Sequence, residues 1–378
     1  MMLNMRSVSM CLLLAGVLTA CGTTSNAPEP NPLPAISERA AVSTLWQGSI
    51  GGGTSYRFRP AISEGLIAVA GAPNQLALLD RASGRTRWSV ALDKPVAGGV
   101  GLDEQLVVVG TLKGEVIAYS RDGKQQWTVR TTSEVIAPPV LGGGLVLVRS
   151  VDGRVAAFSA QDGSLKWFYQ RQQPALLLRN FAAPLIDNDM VYVGMPAGRV
   201  VALSLQDGRV RWDAPVALPR GASELERVTD IVSTPVASNG SVCAVAFQGR
   251  VACLDAKSGA LLWTREASSA SGLTMDGRNV YLSDDKGAVQ AFDRESGRNL
   301  WRQDKLANRS LSAPALAGNF IAVGDFEGYV HWLNKDDGSF VARRASDGGR
   351  VAVTPQALSD NAVLVQTAKG GLYAYDVK

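Results

Sequence analysis

One short pattern, written eight times along the 378 residues, leaves few folds open. Its clearest copies run from Gly153 to Trp167 and from Gly198 to Trp212: a glycine, alternating apolar residues, a small residue, a turn bearing Asp-Gly, and a tryptophan. Gly114 to Trp127 is one residue shorter, while Gly249 to Trp263 and Gly287 to Trp301 keep the full length. Asn74 to Trp88 and Gly328 to Ala342 are weaker copies, and the last, Gly370 to Asp376, stops before its tryptophan. Successive copies begin 38 to 51 residues apart, the length of one four-stranded propeller blade. In the third copy, strands are expected over 137–141, 145–148, 155–158 and 165–168, with turns at Asp152-Gly153 and Asp162-Gly163. Blades are covered on both faces by their neighbours, which explains the apolar and small residues at nearly every strand position. The expectation is an all-β chain: an eight-bladed β-propeller of four-stranded antiparallel blades over residues 44–378. Trp46 stands alone before the first complete unit and the final copy lacks a tryptophan strand. An N-terminal strand joining the last blade would close the ring and remove exposed sheet edges.

The tryptophan spacing carries a resemblance. Ala157, Gly163 and Trp167 stand at relative positions 0, 6 and 10, as do Ala202, Gly208 and Trp212, then Cys253, Gly259 and Trp263, then Ala291, Gly297 and Trp301. This is similar to the tryptophan-docking repeats of quinoprotein dehydrogenases. A flat indole laid on a neighbouring blade needs something small beneath it. Trp46, Trp88, Trp127, Trp167, Trp212, Trp263, Trp301 and Trp332 are therefore expected as docking residues. The seventh copy inverts the rule, with Trp332 in the small slot and Ala342 in the tryptophan slot. That predicts a compensating size swap across one inter-blade contact.

The beginning of the chain reads as an address. Arg6 precedes an apolar stretch from Val8 to Leu18, too short to span a bilayer comfortably, and Leu18-Thr19-Ala20-Cys21 resembles a bacterial lipobox. Residues 1–20 are expected to be a signal peptide and Cys21 the lipidated residue. Gly22 after the cysteine favours the outer membrane, with the body facing the periplasm. Residues 21–43 contain Pro28, Pro30, Pro32 and Pro34 and are expected to form a flexible tether.

Little catalytic chemistry is visible. The only histidine is His331, which excludes paired-histidine metal sites and points to a structural role. The formal net charge is +4 and no basic run occurs, so nucleic acid is not an expected partner. Asp284-Asp285 and Asp336-Asp337 fall at predicted turns, where Asp supports the backbone. Gly51-Gly52-Gly53 lacks the Lys-Ser/Thr of a phosphate loop and reads as a hinge. Cys243 and Cys253 flank a predicted hairpin turn; whether they are bonded stays open, because cross-strand disulfide geometry is demanding. A quinone-dependent periplasmic dehydrogenase on the same fold is the alternative reading. Against it, the chain has no Cys-Cys pair and nearly bare blades. No catalytic residue, cofactor or metal is expected.

Two connections between repeats are longer than a propeller requires: residues 168–181, with Leu176-Leu177-Leu178 beside Arg179, and residues 213–230. A leucine cluster with a charged edge on a surplus loop has the composition of a protein-binding spot. Here a second resemblance becomes specific. Leu176 through Pro184, Pro219 through Val236, and the stretch from Gly324 through Trp332 resemble the BamB family, lipoprotein propellers of the β-barrel assembly machinery. The lipobox, tether and repeats fit the same family along the whole mature length. The resemblance implies a scaffold that binds the periplasmic POTRA domains of BamA within the Bam complex. It carries over Leu176, Leu178, Arg179, Arg227 and Asp230 as partner-binding residues. The family's second acidic position is Val232 here, which shifts weight from an Arg/Asp latch to apolar contact. Direct capture of unfolded outer-membrane proteins by strand addition is a second binding reading.

Overall fold

Glycine-bearing turns and alternating apolar strands resolve into eight antiparallel sheets of four strands each in the computed structural model. The structure describes residues 28–52 and 57–378. Residues 1–20, Cys21 and Gly53 lie outside them. Residues 28–30 belong to a first unit, and Asn31–Lys378 forms the second. Thirty-two strands are found among the described residues, from β1 (Val42–Ser49) to β32 (Gly371–Val377). Blades one to seven take consecutive quartets: residues 61–91, 96–130, 140–169, 185–215, 236–266, 272–303 and 315–345. Blade eight combines three strands over 356–377 with β1, which pairs antiparallel to β32 with Trp46 opposite Ala374. The two ends of the second unit thus share one sheet, and the ring closes as the orphan tryptophan predicts.

Apolar clusters lie between blades, each drawing on two neighbours: Val108, Ala118 and Trp127 of blade two pack with Val146 and Phe158 of blade three. Seven tryptophans lie on outermost strands and dock forward onto the next blade. The indole N–H groups of Trp46, Trp88, Trp127, Trp167, Trp212, Trp263 and Trp301 donate to turn carbonyls of the following blade at 2.7–3.0 Å. In that same turn sits the repeat glycine. At Gly208 (φ +69°) a Cβ would come within 2.5 Å of the Trp167 ring, and at Gly338 (φ +69°) within 2.4 Å of Trp301. The two small positions of the motif therefore answer to different tryptophans. Ala157 is the cross-strand partner of its own Trp167, while Gly163 receives Trp127 of the blade before.

Trp332 departs from the docking role. It lies on the third strand of blade seven, opposite Ala342, and both are fully buried in one cluster. The size swap is thus real, but it runs across a strand pair within a blade rather than across blades. Trp332 meets Tyr375 of blade eight edge-to-face at 5.6 Å, and its indole nitrogen has no hydrogen-bond partner among the described residues. The cause is ring closure. Blade eight carries β1 in place of a hairpin from its third to its fourth strand, so no turn glycine or turn carbonyl awaits an indole from blade seven.

Cys243 and Cys253 are register partners in blade five and are joined by a disulfide. Of the four aspartates expected at turns, two cap them: Asp284 accepts from the N–H groups of Lys286 and Ala288, and Asp337 from that of Ser339; Asp285 instead accepts from Ala270 N–H.

From Asn31 onward the expected tether is laid against blades six and seven instead of hanging free. Leu33 and Ile36 pack beside Trp301 and Phe340, and Arg39 N–H donates to Val341 O at 2.9 Å. Backbone carbonyls there find donors that the proline-rich composition did not advertise. Arg309 Nη1 donates to Asn31 O at 3.0 Å and Arg343 Nη2 to Pro34 O at 2.9 Å. Both arginines reach from a buried network: Arg309 Nε donates to Asp325 Oδ2 at 2.9 Å, His331 Nε2 lies 3.1 Å from the same oxygen, and Arg343 Nε donates to His331 Nδ1 at 3.2 Å. An arginine cannot accept, so the imidazole is neutral with its proton on Nε2. Burial pushes the His331 pKa down, against the opposing pull of Asp325. Burial acts to raise Asp325, but bonds to His331, Tyr329 N–H and Arg309 outweigh it and leave its pKa below the ordinary value. In both cases the unfolded chain binds protons that the folded one refuses, so stability is present at neutral pH and is lost on acidification. The melting temperature is expected to fall between about pH 7 and pH 5, across the unperturbed histidine value. Thermal melts of His331→Gln should lack this step, and a step that persists in that variant would assign it to another group.

Candidate protein-binding site

The two long connections, 170–184 and 216–235, follow the outermost strands of blades three and four. Each joins an outermost strand to the next blade's innermost strand, so both emerge on one face of the ring, with the turns between second and third strands. They touch there. Asn180 Nδ2 donates to Ile231 O at 2.9 Å, and Ala183 N–H to Thr234 Oγ1 at 3.1 Å. The centre of the fastening is a carboxylate. Asp230 is only 3% exposed, and its two oxygens accept from Leu178 N–H at 2.8 Å and Ala197 N–H at 3.0 Å. One side chain thus fixes the leucine-rich loop to the neighbouring turn of blade four.

Beneath it lies Arg149, 4% exposed, whose guanidinium donates to Gly194 O at 2.7 Å. Burial lowers its pKa to about 10, and the charge of Asp230 works in the opposite direction. Arg149 was missed in the sequence. Its signal is a cation ending the otherwise apolar strand Leu145–Arg149.

The loop so held presents Leu176 with 45% of its surface exposed, while Leu177 and Leu178 turn partly inward. Arg179 is exposed, its guanidinium 5.6 Å from the Phe181 ring centroid, within cation–π range. Across the second connection Leu218 and Leu225 are 63% and 69% exposed. Leu176 with Arg179 on the first connection, and Leu218 and Leu225 on the second, leave apolar side chains exposed on the two loops, a composition suited to non-covalent protein contact.

Two residues expected to meet a partner make contacts within the chain. Asp230 is buried and its oxygens are engaged within the chain, because the loop's N–H groups need an acceptor where water cannot reach; it acts as a positioning residue. Arg227 is exposed but holds its own turn, donating to Gly221 O at 3.0 Å and pairing with Glu224 at 3.3 Å. Val232 is 7% exposed and lines the cavity on the ring axis.

Comparisons with known proteins agree with this architecture. The family described as "Outer membrane protein assembly factor BamB" matches residues 37–98, 74–303 and 285–378. The chain is 41% identical to the outer membrane protein assembly factor BamB of Bordetella pertussis, over 96% of this chain and 95% of that one. It is 31% identical to that of Escherichia coli, over 96% and 97%. Among solved structures it resembles BamB from Moraxella catarrhalis, with a TM-score of 0.82 and 27% identity over 89% of this chain and all of that one. A europium-containing methanol dehydrogenase, 13% identical with a TM-score of 0.72 over 89% of this chain and 93% of that one, shares the fold alone.

Proposed function

We propose, from the premise that this chain belongs to the family of the outer membrane protein assembly factor BamB, that it is a non-catalytic scaffold of outer-membrane protein assembly. Its relatives are named as assembly factors, and the finer reading rests on the loop. One observation carries it: an exposed Leu176 and Arg179 are held on a rigid ring by the buried carboxylate of Asp230. A preorganised loop loses little conformational entropy on binding, so its apolar contact is expressed as affinity. The partner is the periplasmic POTRA region of BamA, within the Bam complex. Lipid on Cys21 anchors the protein to the outer membrane on its periplasmic side and raises the local concentration of the scaffold.

The test is the double variant Leu176→Ala, Arg179→Ala. Exposed truncations of this kind change stability by about 0.5 kcal/mol or less, so melting should stay near wild type. Interface anchors cost about 2 kcal/mol or more each. Co-purification with BamA from solubilised envelopes is therefore expected to weaken by roughly two to three powers of ten. Undiminished capture would remove the loop from the contact.

A further inference from the structure

On the axis of the ring, at the face that carries the long connections, lies a cavity of about 500 Å³. Its wall is built from the segments that lead into the innermost strands. Most of that wall is apolar or hydroxylic, but two arginines, Arg57 and Arg59, stand in it. No Asp or Glu is among the described lining residues, and residues 1–27 and 53–56 contain none in their sequence. Two cations therefore share a half-enclosed space without an anion.

Their surroundings sharpen the point. Arg59 Nε donates to Gln356 Oε1 at 3.0 Å, and Gln356 spends its own amide on Thr354 O. Guanidinium groups carry five N–H donors, and among the described residues Nε is the one on Arg59 with a side-chain hydrogen bond. Arg57 lies with its guanidinium 5.5 Å from the Phe181 ring centroid, the same ring that Arg179 approaches at 5.6 Å. Burial lowers the pKa of both cavity arginines, and Arg350 adds like-charge repulsion at Arg57. An anion beside Arg57 and Arg59 would offset the burial of their charges and the repulsion that Arg350 exerts on Arg57.

We propose that this axial cavity is a binding site for a carboxylate group, held by the guanidinium groups of Arg57 and Arg59. Planar guanidinium groups match a planar carboxylate with paired hydrogen bonds, which singles out this chemistry. The carboxylate has two possible sources, a small organic acid or an acidic side chain of a bound polypeptide. The site stands independently of the partner assigned to the leucine-rich loop.

The experiment titrates the mature full-length protein by calorimetry with two probes, citrate and an acetylated Asp/Glu hexapeptide. An acetylated Gln hexapeptide serves as the neutral control. Wild type is compared with Arg57→Gln, Arg57→Lys and Arg85→Gln, the last an equal change of charge on an exposed turn of blade one. Arg57 is only half-buried, and Arg57→Lys keeps the charge in place, so folding is retained in at least one cavity variant. Binding of either acidic probe to wild type is expected, weakened about tenfold or more in Arg57→Gln. Arg57→Lys should fall between the two, Arg85→Gln should match wild type, and the Gln peptide should not bind. Citrate alone binding identifies a small acid; tighter binding of the acidic peptide identifies a polypeptide. Failure of both acidic probes to bind wild type, or equal binding by wild type and Arg57→Gln, overturns the site. Because Leu176 and Arg179 are untouched, BamA capture reads separately in the same variants.

Discussion

Replacing Asp230 with alanine is expected to unfasten the leucine-rich loop and abolish capture of its partner, although this carboxylate is buried. Its two oxygens hold Leu178 N–H and Ala197 N–H, and its charge offsets that of the buried Arg149. Removing it leaves two donors unpaired and one cation uncompensated, a loss of roughly 3 kcal/mol. Loss of stability alone would not separate positioning from general damage. The discriminating readout is amide hydrogen exchange: protection at Leu178 and Ala197 should collapse while the second strand of blade one stays protected. Asp230→Asn keeps one acceptor oxygen and should restore part of the protection and part of the capture of BamA. If Asp230→Ala exchanges slowly at Leu178 and still binds, the loop owes its conformation to other contacts.

The second large effect belongs to the docking tryptophans. Trp167→Ala should cost about 3–5 kcal/mol, the usual loss for a buried large aromatic side chain. It empties the space above Gly208 and strands the Leu205 carbonyl that the indole caps. Unfolding in denaturant, followed with the remaining tryptophans, measures it. Trp332 offers a sharper comparison. Trp332→Ala should cost a similar amount, since the side chain is wholly buried. Moving the indole to its usual slot with Trp332→Ala and Ala342→Trp together should not restore stability. Blade eight has no hairpin turn to receive it. Full rescue by the double change would show that the receiving surface exists after all.

Much of the ring was legible because a blade is a local object. The glycine at each turn and the tryptophan ten residues past a small side chain both report contacts with neighbours in sequence. Strand pairing, the closing role of Trp46 and the adjacency of the two long connections followed from counting. What escaped were contacts between residues far apart in the chain. Asp230 was carried over from the family resemblance as a partner-binding residue; only its contact with Leu178, 52 residues away, and its burial show that it is engaged within the chain. The segment from Asn31 read as a tether because prolines without apolar periodicity rarely build a core. Its carbonyls are caught by Arg309 and Arg343, nearly three hundred residues away or more.

By itself the amino-acid order determined the number of blades and their strands, which follow from spacing within about fifty residues, and the place where the ring shuts, which follows from an orphan Trp46 at one end and a missing strand at the other. Tertiary structure alone decided which charges are buried, which leucine faces water and which arginines line the cavity on the axis. Those outcomes depend on which distant segments exclude solvent from one another, and no local pattern encodes that exclusion.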